Sequence, residues 1–235
     1  MPFMNQHISN SKKVSKTLAD FAYQTIRADI IRGELKADEK LRLSNLCKKY
    51  DIGMSPLREA LARLIGDALV VTEGQRGFWV APLSIDELVD ISRVRNLLEG
   101  EALQRSMVHG DDAWRTQLTH AFEALTQVET ELAGRNRDVV PEWEHANRHF
   151  HEVLVSRCGS PWLQRILKML YQQSERYRRI SLIRKGSNRS LHDEHEAIYE
   201  AVMAGNVLKA CRLVELHLQL TSDAVRAALQ DNIST

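Results

Sequence analysis

The stretch "SPLREALARLIGDALVVTEGQRGFWVAP", residues 55–82, leaves few choices of local structure. Ser55 and Pro56 read as the N-cap and first position of a helix. Leu57, Ala60, Leu61 and Leu64 recur on one face of it. Arg58, Glu59, Ala62 and Arg63 are left nearer solvent, and Gly66 suggests the helix end. Two short β-prone runs follow, 70–72 and 78–80, around a glycine-containing turn, with Pro82 as the exit.

Upstream, Leu18, Ala22, Ile26 and Ile30 recur every fourth residue and predict a helix that Gly33 ends in a left-handed cap. The first dozen residues are polar and are expected to fray. "ELKADEK" reads as a loop. Leu43, Leu46, Cys47 and Tyr50 predict a second short helix, and "DIGM" supplies a turn with Gly53 at its strained position. Helix, helix, tight turn, helix and hairpin is the order of a winged helix-turn-helix, in which the helix after the turn enters the DNA major groove by its first residues. Arg58 is thereby placed near base edges or phosphates, and arginine can read guanine in bidentate fashion. Arg76, at the hairpin tip, can reach the backbone or the minor groove. The expected contacts to double-stranded operator DNA are Ser55, Arg58, Arg63, Arg76 and Gly77. Charge agrees in sign: residues 1–83 carry a net +4 and residues 84–235 a net −3.

Residues 84–235 show no strand pattern and predict an all-α bundle of about six helices. Ser84 and Glu87 form a capping box at its start. Leu88, Ile91, Val94, Leu98, Ala102 and Leu103 give the buried face of the first helix, with Arg95 and Glu99 four apart on one side. Leu118, Phe122, Leu125 and Val128 stripe the second. A third helix runs through "HANRHFHEVL", residues 145–154, which holds three of the nine histidines. Residues four apart on a helix share a face, so Asn147 goes with His151 while His149 points elsewhere and His145 lies one turn before His149. Three further helices follow. Arg179, Arg184 and Arg189 read as charge on a helix face and loop.

Cys47, Cys158 and Cys211 are far apart, which suits thiols in a reducing cytoplasm and excludes a disulfide framework. No apolar run approaches the ~20 residues of a membrane span, and the N-terminus has no signal-peptide pattern. The expected location is cytoplasmic, with no membrane partner.

The run Pro56-Leu57-Arg58-Glu59-Ala60-Leu61, with Leu64, Leu69-Val70, Arg76-Gly77 and Val80, resembles the DNA-binding domain of the GntR family of bacterial transcription regulators. Two departures stand out: Ala37-Asp38 where the family has Pro-Gly, and Gly53-Met54 where it has Ser-Arg. The second shifts the base-reading load onto Arg58 and is similar to the carbon-starvation-induced repressor type within the family. Val94-Arg95 with Leu98-Glu99, Phe150-His151, Glu194-His195 and His217-Leu218 resemble the FCD effector domain of the FadR-like branch. The resemblance implies a mainly α protein: a winged helix-turn-helix in 1–83 and an FCD-like effector-binding and dimerisation bundle in 84–235.

It further implies a homodimeric regulator, a repressor, controlled by a small carboxylic acid beside a metal. The implied metal ligands are His151, His195, His217 and residue 147, where Asn147 stands in place of the family's Asp. Three imidazoles suit zinc, with nickel or manganese as alternatives, and Arg95 is the implied effector anchor. Two other readings stay open at this point. One is a metal-dependent enzyme using His151, His195 and His217, although HExxH, a phosphate loop and a nucleophile elbow are all missing. The other is a metal-free regulator whose histidines bind the effector directly.

Overall fold

A computed structural model describes residues 17–74, 76–133, 137–182 and 190–233. The polar first dozen residues, Arg184 and Arg189 lie outside them. The chain divides into two compact units, Met1–Leu83 and Ser84–Thr235. Among the described residues, no helix is long and apolar enough to cross a membrane.

In the first unit, α1 (Leu18–Arg32) starts where Thr17 Oγ1 accepts from the Asp20 N–H at 3.0 Å and stops at Gly33, φ 76°. Ala22, Ile26 and Ile30 are buried, but Leu18, on the first turn of the same stripe, is 53% exposed. α2 (Leu43–Tyr50) leads through a turn into α3 (Met54–Gly66). Leu57, Ala60, Leu61 and Leu64 are wholly buried in one core with Ile26, Leu69 and Val80.

Two local expectations need correction here. Ser55 does not cap α3: the helix begins at Met54, and its N-cap is Gly53, with no side-chain cap bond. Gly53 is in ordinary extended backbone (φ −70°, ψ 164°), so it is not the strained position. Asp51 takes that role with φ 53°, and its N–H closes on the Cys47 carbonyl. A short polar side chain tolerates the left-handed region better than most, so the turn is absorbed one step earlier and Ser55 falls inside the first helical turn.

The hairpin strands β2 (Val70–Thr72) and β3 (Phe78–Val80) match expectation, but the sheet has a third member. Where the expected loop ends, β1 (Lys40–Leu41) pairs antiparallel with β3, giving the order β1-β3-β2. Two residues carry no alternation that could have announced a strand.

The second unit holds six α-helices among the described residues: α4 (Ile85–His109), α5 (Asp112–Ala133), α6 (Val140–Leu154), α7 (Pro161–Leu182), α8 (Leu191–Met203) and α9 (Val207–Ile233). Ser84 Oγ accepts from the Glu87 N–H at 3.3 Å, as a capping box requires. The reciprocal bond is rerouted. The Tyr177 hydroxyl, from α7, accepts from the Ser84 N–H at 3.2 Å and donates to the Glu87 carboxylate. Trp114, Leu118, Trp143 and Phe150 centre the core, and the Trp114 indole N–H donates to the Val153 carbonyl at 2.8 Å. Gly110 is required beside it, because a Cβ there would stand 2.1 Å from the Trp114 ring.

A buried ion pair ties α6 to α7. Arg178 Nη2 lies 2.5 Å from Glu144 Oε2, and its Nε reaches both carboxylate oxygens at 3.1 and 3.2 Å. This fixes the phase of the helix that carries Asn147 and His151.

Candidate metal centre and recognition helix

The helical phase of α6 decides which of its histidines point inward. Trp143, Glu144, Asn147, Phe150 and His151 are buried, whereas His145 and His149 are exposed. His151 meets His195 from α8 and His217 from α9, and one ring nitrogen of each lies within 4.8 Å of the others. The three rings are 0 to 5% exposed. Ring centroids are 4.6 Å apart for His195 and His217, 5.2 Å for His151 and His217, and 5.8 Å for His151 and His195. Phe150 stands edge-on to both His151 and His195 and forms the apolar wall.

Each ring is held by a carboxylate from the opposite side. His151 Nδ1 is 2.7 Å from Glu99 of α4, His195 Nδ1 is 2.6 Å from Glu129 of α5, and His217 Nδ1 is 2.8 Å from Glu194 of α8. An ionised carboxylate only accepts, so Nδ1 carries the proton and Nε2 keeps its lone pair. This is the usual backing of a metal-bound imidazole: it fixes the tautomer and the ring orientation and raises basicity. Arg95 donates from Nε and Nη2 to Glu99 at 3.3 and 3.0 Å and lies 4.7 Å above the Tyr171 ring. Burial opposes ionisation of Glu99, but Arg95 and His151 together hold its carboxyl down to about 2. Burial, outweighing the pull of Glu99, lowers His151 to about 4, so its imidazole is neutral at pH 7.

Two buried polar atoms in this region have no hydrogen-bond partner: His195 Nε2 and Asn147 Oδ1. An unpaired buried polar atom is costly, and a divalent cation held by the three histidines would satisfy His195 Nε2. The donor set therefore fits a metal of the zinc class: three imidazoles, each with its second nitrogen held by a carboxylate, and an amide oxygen one turn before His151.

The structure brings together His151, His195 and His217 and buries Asn147 on the face of α6 that carries His151. Arg95 is buried and turned to Glu99. It also lines a small cavity with Ser92, Ser174 and Leu218. Sequence reasoning missed the roles of Glu99, Glu129 and Glu194. Glu129 stands in the buried phase of its helix with Leu118 and Leu125, and Glu99 with Ile91 and Ala102. A charged residue at a core phase was the available signal.

In the first unit, Ser55 and Arg58 are exposed on the opening turns of α3, and Arg58 has no hydrogen bond or ion pair among the described residues. Arg63 is different. Its Nη1 is 2.6 Å from Asp20 Oδ1, and its guanidinium lies 4.1 Å over the Tyr23 ring. It braces α3 against α1 while its side chain stays 41% exposed. Arg76 is 81% exposed beside Gly77, whose φ of 121° favours glycine.

Comparison with known proteins gives the same two-part division. The profile "Bacterial regulatory proteins, gntR family" matches residues 18–80, and the FCD domain profile matches residues 90–220. The HTH-type transcriptional regulator BphR of Paraburkholderia xenovorans is 35% identical over 90% of this chain and 86% of its own length. The HTH-type transcriptional repressor GlaR of Escherichia coli is 32% identical over 89% of this chain and 96% of its own. Among solved structures, McbR/YncC of E. coli superimposes with a TM-score of 0.73 over 93% of this chain and 100% of the other. At 19% identity that likeness concerns the fold alone.

Proposed function

Because this chain belongs to the gntR family of bacterial regulatory proteins, carries an FCD domain, and is a DNA-binding transcription regulator rather than an enzyme, we propose that it is a homodimeric repressor controlled by a small carboxylic acid. The acid binds in the helical unit beside a divalent ion, zinc in the first instance, held by His151, His195 and His217 with Asn147. The observation that carries this reading is the set of three buried imidazoles, each backed by its own carboxylate. Such backing has a physical use where the opposite nitrogen holds a metal.

Asn147 bears on the choice of effector. An amide oxygen is a neutral ligand, so the bound ion keeps charge that an Asp would have neutralised. A carboxylate completing the ion's ligand set supplies it. Arg95 contributes a fixed positive charge on the other side of Glu99, and its cavity-facing edge is the anchor for the acid. Asn147→Asp is expected to tighten retention of the divalent ion and to weaken acid binding. Metal content after dialysis and calorimetry on the same samples would read both, and a variant with looser metal and tighter acid would contradict the assignment.

On the DNA side, Arg58 reads a base edge, the uncapped first turn at Ser55 takes a backbone phosphate, and Arg76 with Gly77 forms the wing contact. Arg63 supports the helix from behind through Asp20.

Control requires the acid to favour one state of the dimer over the other, because a ligand of equal affinity for both shifts nothing. Operator affinity is expected to fall about 5- to 150-fold on saturation with the acid, the usual range of allosteric coupling. Calorimetry of small mono- and dicarboxylates against metal-loaded protein, with and without operator DNA, tests this. By reciprocity the operator must weaken acid binding by the same factor. Acids that bind free and operator-bound protein equally well would refute the control mechanism.

A further inference from the structure

We infer that Met54 is a base-reading residue, which recognises the methyl group of a thymine within two base pairs of the one read by Arg58. The inference deepens the operator-binding reading above and rests on it.

α3 follows the tight turn, so it is the helix whose first residues face the major groove. Its exposed residues over that half are Met54, Ser55, Arg58, Glu59 and Ala62. Met54 is the only large apolar side chain of that group, and it is 49% exposed. Leu57, Ala60, Leu61 and Leu64 already fill the core from the opposite face. Single exposed apolar residues are common; the significance of this one lies in its position. It opens the helix, directly after Gly53, and sits four residues before Arg58, so the two side chains project from one face.

The chemistry of the groove then selects the target. The major groove of B-DNA presents hydrogen-bonding edges and one apolar group, the thymine methyl. A thioether side chain has no hydrogen-bond donor to offer a base or phosphate, and it adapts its shape readily to an apolar partner. Arg58, with no hydrogen bond or ion pair among the described residues, supplies the polar half of the reading, most naturally at guanine. Four helical residues span about 6 Å, against about 3.4 Å per base along a strand. The thymine therefore lies within two base pairs of the guanine.

The test uses the full chain and duplexes enriched by it from a random-sequence pool. In an enriched site each thymine is replaced, one at a time, by deoxyuridine, which removes only the methyl. One position in each half-site is expected to lose about three- to fivefold in affinity, the worth of one buried methyl-sized group. In Met54→Ala the same replacement should have no effect, while melting temperature and salt dependence stay those of the parent. Met54→Arg should exchange the thymine preference for guanine when the selection is repeated. The inference is overturned if no thymine is methyl-sensitive, or if uracil costs Met54→Ala as much as the parent. Enriched sites without methyl sensitivity would remove the role of Met54 alone. A pool from which nothing is enriched would remove sequence-specific binding as well.

Discussion

Replacing His195 with alanine should abolish retention of a divalent ion, whereas His149→Ala should leave it unchanged. His195 is fully buried, and its Nε2 is an orphan that faces no protein partner. Its loss leaves two imidazoles and an amide, too few donors for a tetrahedral site. The weakening should exceed 100-fold, beyond the 10- to 100-fold typical of removing an outer partner. Glu129→Gln, which weakens the grip on His195 Nδ1 without touching the ligand, should fall within that outer-partner range. His149 lies on the solvent face of the same helix and serves as the control. Metal analysis of dialysed protein reads all three. Equal loss in His149→Ala and His195→Ala would mean that the ion binds elsewhere. Because Glu129 loses its buried partner in His195→Ala, melting of each metal-free variant should be recorded alongside.

Arg178→Ala should produce the largest loss of stability, about 3–5 kcal/mol, since it strands a buried carboxylate without its counter-charge. Glu144 is 1% exposed, and burial already pushes its carboxyl upward with Arg178 in place. Without Arg178 the folded-state value rises further above the unfolded one. A group raised in this way destabilises the fold when ionised and does not when protonated. The penalty should therefore be largest where Glu144 is ionised, shrink as the pH falls through its raised value, and lose its charge component by the ordinary carboxylate range. Denaturant midpoints for parent and variant across that range provide the measurement. A penalty independent of pH would show that lost packing over Trp143, not stranded charge, is the cause. The same substitution frees α6, which carries Asn147 and His151, to rotate, so metal retention should also decline.

The histidine triad shows how far a one-dimensional pattern can reach. The 3.6-residue period separates His151 from His145 and His149, because phase along one helix is a local property. The same arithmetic recovers the stripe of α3, but in α5 only Leu118 and Leu125 of the expected stripe are buried, with Phe122 and Val128 half-buried. The period does not say which residues from other helices meet His151. That pairing came from resemblance to a family, and the carboxylates behind the rings were not recognised at all. Glu194 could be seen only as a neighbour of His195 in sequence, and Glu129 as one acid among several.

The sequence by itself determined the order of the helices and the hairpin, most of the inward face of α1, α3 and α6, and the division between a basic first part and an acidic second part. These follow from periodicity, glycine and proline placement, and charge, all set by neighbours a few residues away. Tertiary structure alone decided the rest. β1 exists because β3 offers it an edge to pair with. The capping box at Ser84 is completed by Tyr177, 93 residues away. Arg63 finds its carboxylate partner, Asp20, across 43 residues. The three imidazoles acquire their tautomers from acids 52, 66 and 23 residues distant. In each case the partner of a polar group is chosen by which helices pack together, and that choice minimises unpaired charge over the whole core rather than along any one segment.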